Sequence, residues 1–242
     1  MSNKNSTGYI LMYTCLVTLI CGITLYIISS VLKPAQEANI ELNRKKSILA
    51  TIITIDKTWD AKKIESTFES RVKGYVIDYS GKKLDGKDVG SVNIEAENKK
   101  PVKERLYPVY EIASESNPSQ TEYYVIATSG KGLWDKISSF ISLKKDLKTI
   151  NAVVFDHKAE TPGLGARIKD DQVVYSRYAG KTIFDGDKLT PVIMKKGEGN
   201  DYSDNPHAVD GMSGATKTAV GVNEMMDEYL SAYENFLKSK IN

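Results

Sequence analysis

The chain has 242 residues, with 33 lysines and arginines against 31 aspartates and glutamates, a balance too even for the basic surface that a nucleic-acid or acidic-polymer partner needs. Beyond an apolar N-terminal segment, the length suffices for one sizeable domain or at most two small ones. Both cysteines, Cys15 and Cys21, lie inside that segment, and neither histidine, His157 or His207, has a second histidine at ligand spacing; the rest of the chain therefore offers no disulfide, thiol nucleophile or cysteine-ligated metal.

After a short tail over residues 1–8, no residue from Tyr9 to Leu32 is charged. A helix needs about 20 apolar residues to cross a bilayer core, so residues 9–32 are expected to form a transmembrane anchor. The run is longer than the roughly 7–15 apolar residues of a signal peptide, and no small-x-small cleavage site follows it. Thr18 and Ile20, ahead of Cys21, do not fit a lipoprotein signal. Lys4 precedes the span, while Lys33, Arg44, Lys45 and Lys46 follow it. That asymmetry alone favours a cytoplasmic C-terminal side, although large domains translocate largely regardless of charge.

Residues 33–72 are rich in Lys, Glu, Gln and Asn, with Ile40, Ile48, Leu49, Ile52 and Ile53 as a docking face, and are expected to form a helical stalk that enters the soluble domain. Residues 73–242 form that domain. Its first part, from 74 to 118, is dense in charge and turn signals and is expected to hold short strands and loops. Tyr123–Ala127, Phe140–Leu143 and Ile150–Phe155 are β-branched or aromatic runs bounded by turn residues, and imply neighbouring antiparallel strands. At the end, Val222, Met225, Met226, Tyr229, Leu230, Tyr233, Phe236 and Leu237 recur at helical spacing. The expected fold class is α+β: an anchor helix, an antiparallel sheet and a C-terminal amphipathic helix.

Glycine-bearing strings follow two of these strands. Gly130-Lys131-Gly132-Leu133-Trp134-Asp135 lacks the third glycine of a dinucleotide fingerprint, and Glu160-Thr161-Pro162-Gly163-Leu164-Gly165-Ala166-Arg167 lacks the Gly-Lys-Ser/Thr of a phosphate loop. Either string serves as a turn, or lets a flat ligand approach the backbone closely. The third string, Asp210-Gly211-Met212-Ser213-Gly214-Ala215-Thr216-Lys217-Thr218, stands just before the amphipathic run. Unpaired amides and the positive end of a helix dipole favour a phosphate there, while Ser, Thr and Gly also collect at helix entrances simply as caps, a role for which Thr218 is better placed than Thr216.

Taken in order, the N-terminal span, Leu32–Gln36 with Lys45–Leu49, Tyr107–Tyr110, Gly130–Asp135, Glu160–Ala166 and Ser213–Thr218 resemble the C subunits of bacterial Na⁺-translocating NADH:quinone oxidoreductases, membrane-anchored members of the FMN-binding domain family. The G subunits of Rnf-type electron-transport complexes share the anchor and the threonine motif, and are expected to match less well around Lys33–Leu49 and Gly130–Asp135. A stand-alone FMN carrier, and a membrane-anchored scaffold whose Ser-Gly-Ala-Thr is only a cap, are the other readings.

The resemblance implies FMN joined through its phosphate to a threonine that maps to Thr216, within Ser213, Gly214 and Ala215, with Thr218 as the competing position. It implies that Asp210 is read by the flavin transferase that installs FMN. It places the flavin ring near Glu160, Thr161, Gly163 and Leu164, with Leu164 packing on the ring and Thr161 hydrogen-bonding its polar edge; Gly132, Leu133 and Trp134 are a second wall. It further implies electron relay among the other subunits of the complex without independent catalysis, in the bacterial inner membrane with the domain on the periplasmic side. The absence of an acid–base pair or nucleophilic triad agrees, since the cofactor supplies the electron chemistry.

Overall fold

A computed structural model describes residues 6–56 and 58–241; the start of the tail, with Lys4, and residue 242 lie outside the described residues. The chain divides into two compact units, one ending at Arg44 and the other beginning at Lys45.

The first unit is most of helix α1, Thr7–Ala50, which contains Pro34. By length and composition this helix can cross a membrane. Its apolar side chains, such as Leu25 and Tyr26, are exposed rather than packed into a core. Three threonines in this stretch are satisfied within the helix: the hydroxyls of Thr14, Thr18 and Thr24 donate to the carbonyls of Ile10, Thr14 and Ile20 at 2.9, 2.8 and 2.8 Å. A threonine bonded in this way leaves no free donor to solvate in hydrocarbon.

In the second unit the last turn of α1 buries Ile48 and Leu49 completely. The expected stalk helix does not run unbroken to residue 72. It stops at Ala50, and helix α2, Ala61–Arg71, restarts at Asp60, whose carboxylate accepts the Lys63 amide at 2.8 Å as an N-cap. Ile40, expected on the docking face, is exposed.

The sheet is an antiparallel meander in the order β1 (Val72–Ile77), β2 (Tyr107–Ala113), β3 (Thr121–Lys131), β4 (Lys136–Lys144) and β5 (Ile150–His157), with a short helix α3 (Ile94–Glu97) between β1 and β2. Both of its faces are covered. Tyr107, Val109, Ile126, Ile141, Val153 and Phe155 share the main core with the C-terminal helix, here α6 (Thr216–Ile241), while Tyr110, Ile112 and Val125 pack with Ile48 on the other side. Two-sided burial is why the strands read as nearly continuous apolar runs instead of alternating ones. Strand β3 runs beyond the expected Tyr123–Ala127 at both ends. Its polar end stays in the sheet because Thr128 and Ser139, both buried, hydrogen-bond each other across the strands at 2.7 Å.

Helix α6 starts at Thr216, a turn and a half before the first residue of the periodic apolar pattern, and lies chiefly along β3. Short elements carry the chain between β5 and α6: α4 (Arg167–Asp170), α5 (Gln172–Ser176), a small hairpin of β6 (Phe184–Asp185) and β7 (Lys188–Leu189), and a parallel pair of β8 (Ile193–Met194) with β9 (Ala208–Val209). Asn223 of α6 fastens β8, its side chain exchanging hydrogen bonds of 2.8 and 2.9 Å with the backbone of Met194.

The hydroxyl of Tyr233, wholly buried in α6, donates to the Pro108 carbonyl at 2.8 Å and lies 3.3 Å from that of Ala127, joining the helix to β2 and β3. Tyr233→Phe keeps the ring and leaves a buried carbonyl short of its donor. It is expected to cost about 1–3 kcal/mol in urea unfolding of the intact chain in detergent, with no change of secondary structure by circular dichroism.

Candidate functional site

Three chain segments meet at one end of the sheet. The first is the tip of the β3–β4 hairpin, where the Gly132 amide donates to the Asp135 carbonyl at 2.8 Å and a tight turn thrusts Leu133 and Trp134 outward. The second is the Glu160–Ala166 loop after β5. The third is the entrance to α6, where the Ala215 carbonyl accepts the first helical bond, from Ala219 at 3.0 Å.

Glu160 joins the three. The residue is 4 % exposed; one oxygen of its carboxylate accepts the Trp134 amide at 3.0 Å and the other the Thr218 hydroxyl at 2.5 Å. Its own amide donates to His157 Nδ1 at 3.3 Å. A β-carbon on Gly132 would collide with one carboxylate oxygen, and one on Gly165 with the other and with the Thr218 hydroxyl, so both positions are held to glycine by close approach. The isolated strings of the sequence are thus parts of one hydrogen-bonded junction.

Above that junction lies a cavity of about 190 Å³ lined by Leu133, Glu160, Thr161, Leu164, Gly165, Gly214, Ala215, Thr216, Lys217 and Thr218. Two of its lining residues, Leu133 and Leu164, are apolar and 47 and 42 % exposed, and Trp134, next to Leu133, is 64 % exposed. The Thr161 oxygen accepts the Trp134 indole N–H at 3.0 Å. Gly214, at a φ of 74°, brings the α6 loop against Leu164. Gly163 takes a φ of 73° in the opposite loop.

The two threonines have different environments. Thr216 is exposed at the mouth of the cavity as the first residue of α6, whereas Thr218 is buried, its hydroxyl spent on Glu160. The expectation that Thr218 caps the helix is corrected, because the helix begins two residues before it. The amphipathic pattern concealed this start: the first turn is stitched to loops rather than to an apolar face.

Asp210 lies away from the cavity, beneath the loop that leads to it. Burial opposes its charge, but hydrogen bonds from the amides of Gly199, Asn200 and Gly211 prevail and hold its carboxyl below the usual range. Arg177 donates to the carbonyls of Asp210 and Gly211 at 3.1 and 2.7 Å. The Ser213 amide donates to Glu198 at 3.0 Å, and Glu198 is gripped by both terminal nitrogens of Arg167 at 2.6 and 3.0 Å. Neither Glu198 nor Arg177 stands out in the sequence, since each reaches the site only through tertiary contact, whereas Lys217 belongs to the third string. Arg167 and Gly165 were visible as members of the second glycine string.

The model of the FMN-binding domain family matches residues 132–231, a span that contains all three converging segments. The C subunit of the Na(+)-translocating NADH-quinone reductase of Pseudomonas aeruginosa is 30 % identical over 245 residues, covering 95 % of this chain and 94 % of that protein. The corresponding protein of Haemophilus ducreyi is also 30 % identical, over 91 % of this chain and 88 % of its own length. Among solved structures, the C subunit of the Na(+)-translocating NADH-quinone reductase from Parabacteroides distasonis superposes with a TM-score of 0.73 at 30 % identity, covering 85 % of this chain and 96 % of that one. Shewanella oneidensis NqrC shares the fold with a TM-score of 0.70 at 23 % identity.

The Glu198 contacts set a pH dependence. Hydrogen bonds from Arg167 and from the Ser213 amide lower its pKa from an ordinary 4.5 to about 2. Since the folded protein holds this carboxylate ionised more firmly than the unfolded chain does, the contribution to stability is complete above about pH 4.5 and is lost as the pH falls through about 2. The Ser213 amide resonance, followed by NMR, is expected to titrate with a midpoint near 2 rather than near 4.5.

Proposed function

Because this chain belongs to the family formed by the C subunits of Na(+)-translocating NADH-quinone reductases, we propose that it carries FMN at the mouth of the cavity with the flavin phosphate joined to the Thr216 oxygen. It is a flavoprotein subunit of a multisubunit NADH-quinone reductase, and when bound the flavin supplies the electron-transfer chemistry.

The observation that carries the site assignment is the exposure of Thr216 at the entrance of a 26-residue helix, beside a cavity lined by Leu133 and Leu164. The first amides of a helix have no intrahelical acceptors, and with the helix dipole they favour a phosphate on this oxygen. Leu164 offers an apolar surface to a flat ring. Thr161, whose oxygen already accepts the Trp134 indole, keeps its own proton to donate to the polar edge of that ring. Thr218 is a poor attachment point because its hydroxyl is buried and engaged by Glu160.

The cavity, at about 190 Å³, falls below the roughly 300–1,000 Å³ of pockets that engulf a drug-sized ligand. A ring seated here stays partly uncovered, reachable by redox centres of neighbouring subunits, and the covalent link substitutes for the affinity that deep burial would give. Asp210, buried and bonded to the Gly199 amide, serves maturation by a flavin transferase through the loop shape it imposes. The apolar part of α1 anchors the protein in the bacterial inner membrane, and the domain faces the periplasm.

Coexpression with a flavin transferase tests the site. The purified chain is expected to keep its yellow colour after denaturation, and peptide mass spectrometry is expected to find the FMN mass on Thr216. Thr216→Ala should lose the mass with little change in stability. Thr218→Val should keep it while costing about 1–3 kcal/mol, since a buried Glu160 oxygen loses its donor. FMN on Thr218, or normal flavinylation of the Thr216→Ala chain, would overturn the assignment.

Orientation is tested separately by Ser116→Cys, on an exposed loop between β2 and β3. An impermeant thiol reagent is expected to label it in cells whose outer membrane alone is permeabilised. Labelling only after the inner membrane is broken would place the domain in the cytoplasm.

A further inference from the structure

The two loops that flank the cavity are joined on their far side by one carboxylate. Glu198 lies in the segment between β8 and β9, outside every sequence string singled out above. It receives Arg167, which immediately follows the Glu160–Ala166 loop, as a two-pronged fork at 2.6 and 3.0 Å. The oxygen that takes the longer prong also accepts the Ser213 amide, three residues before Thr216, at 3.0 Å. Arg167 is itself braced by Asp171 at 2.8 and 3.1 Å, and Arg177 stands 3.8 Å from both Glu198 and Asp210.

Exposed ion pairs in isolation contribute little, because solvent screens them and ordering two long side chains costs entropy. This one differs on three counts. Its geometry is a bidentate guanidinium–carboxylate fork, it belongs to a network of several charges, and it captures a backbone amide as well as a side chain. Both side chains are also largely covered, at 27 and 22 % exposure. A backbone amide held in this way fixes the course of the chain rather than only the rotamer of a side chain.

Resting on the reading of FMN at Thr216, we propose that Glu198 is a positioning residue that fixes the attachment loop relative to the loop bearing Thr161 and Leu164. The tether leaves the flavin several rotatable bonds, so the phosphoester alone does not determine where the ring lies. A constant separation between Ser213 and Arg167 limits the positions from which a ring bound at Thr216 meets Leu164. Glu160 closes the same two loops from beneath the cavity, and Glu198 closes them from outside it. The second clamp is distinct because Glu160 bonds to Thr218, within the helix, and does not reach the Ser213 amide, which Glu198 holds.

The test uses the full chain in detergent, flavinylated by coexpression, as wild type, Glu198→Ala and Glu198→Gln. Glu95→Gln, in an ion pair with Lys136 and Lys158, is the control for loss of a surface charge. All four proteins are expected to carry the FMN mass. In Glu198→Ala, amide hydrogen exchange in the peptide spanning 210–218 should accelerate at least about tenfold, flavin fluorescence anisotropy should fall, and the midpoint potential should shift. Glu198→Gln, which keeps a neutral acceptor for the Ser213 amide, should lie between Glu198→Ala and wild type, and Glu95→Gln should match wild type. Unchanged exchange, anisotropy and potential in Glu198→Ala would refute the clamp. If the wild-type chain carries no flavin, the FMN reading falls instead, and exchange at 210–218 alone then decides whether Glu198 holds the loop.

Discussion

A buried carboxylate must be fully paired or it destabilises the fold that buries it, and at the cavity that requirement falls on Glu160. Its partners come from places far apart in the chain, the Trp134 amide at a hairpin tip and the Thr218 hydroxyl in the first turn of the last helix. Satisfying one side chain therefore brings a hairpin, a loop and a helix entrance to a common point. The cavity is the space left above that convergence. Glycines at 132 and 165 are the steric corollary, because the carboxylate approaches both backbones too closely for any side chain.

The core sets this junction in place without taking part in it. The main core lies between the sheet and α6, where Tyr107, Tyr229 and Tyr233 meet edge to face at ring separations of 6.2 and 5.3 Å. Chemistry-bearing residues stand on turns at the ends of these rigid elements, an arrangement that gives exposure without loss of position. Leu133, Trp134 and Leu164 can face outward because the strands and helix beneath them are already stabilised elsewhere.

Much of this architecture was legible in the residues themselves. The spacing of Val222 to Leu237 foretold the packed face of α6, and the runs at 123, 140 and 150 foretold three of the five sheet strands. What escaped did so for identifiable reasons. The polar end of β3 belongs to the sheet only because Thr128 finds Ser139 across the strand, a pairing without a signature along the chain. The start of α6 at Thr216 was hidden because periodicity marks where a helix meets a core, not where it begins. Of the candidate site, the threonine motif and both glycine strings were visible, and the structure gathers Thr161, Leu164, Leu133 and Thr216 around one cavity. Glu198 was not, since a lone glutamate among lysines and glycines acquires meaning only from the arginine and the amide that fold against it.

The small volume of the cavity, about 190 Å³, bears on where the properties of the site are set. With the flavin attached at Thr216 as proposed, the surroundings of its uncovered part are completed by whatever molecule docks over it. Substitutions in that neighbour can retune the driving force of electron transfer while this chain stays fixed.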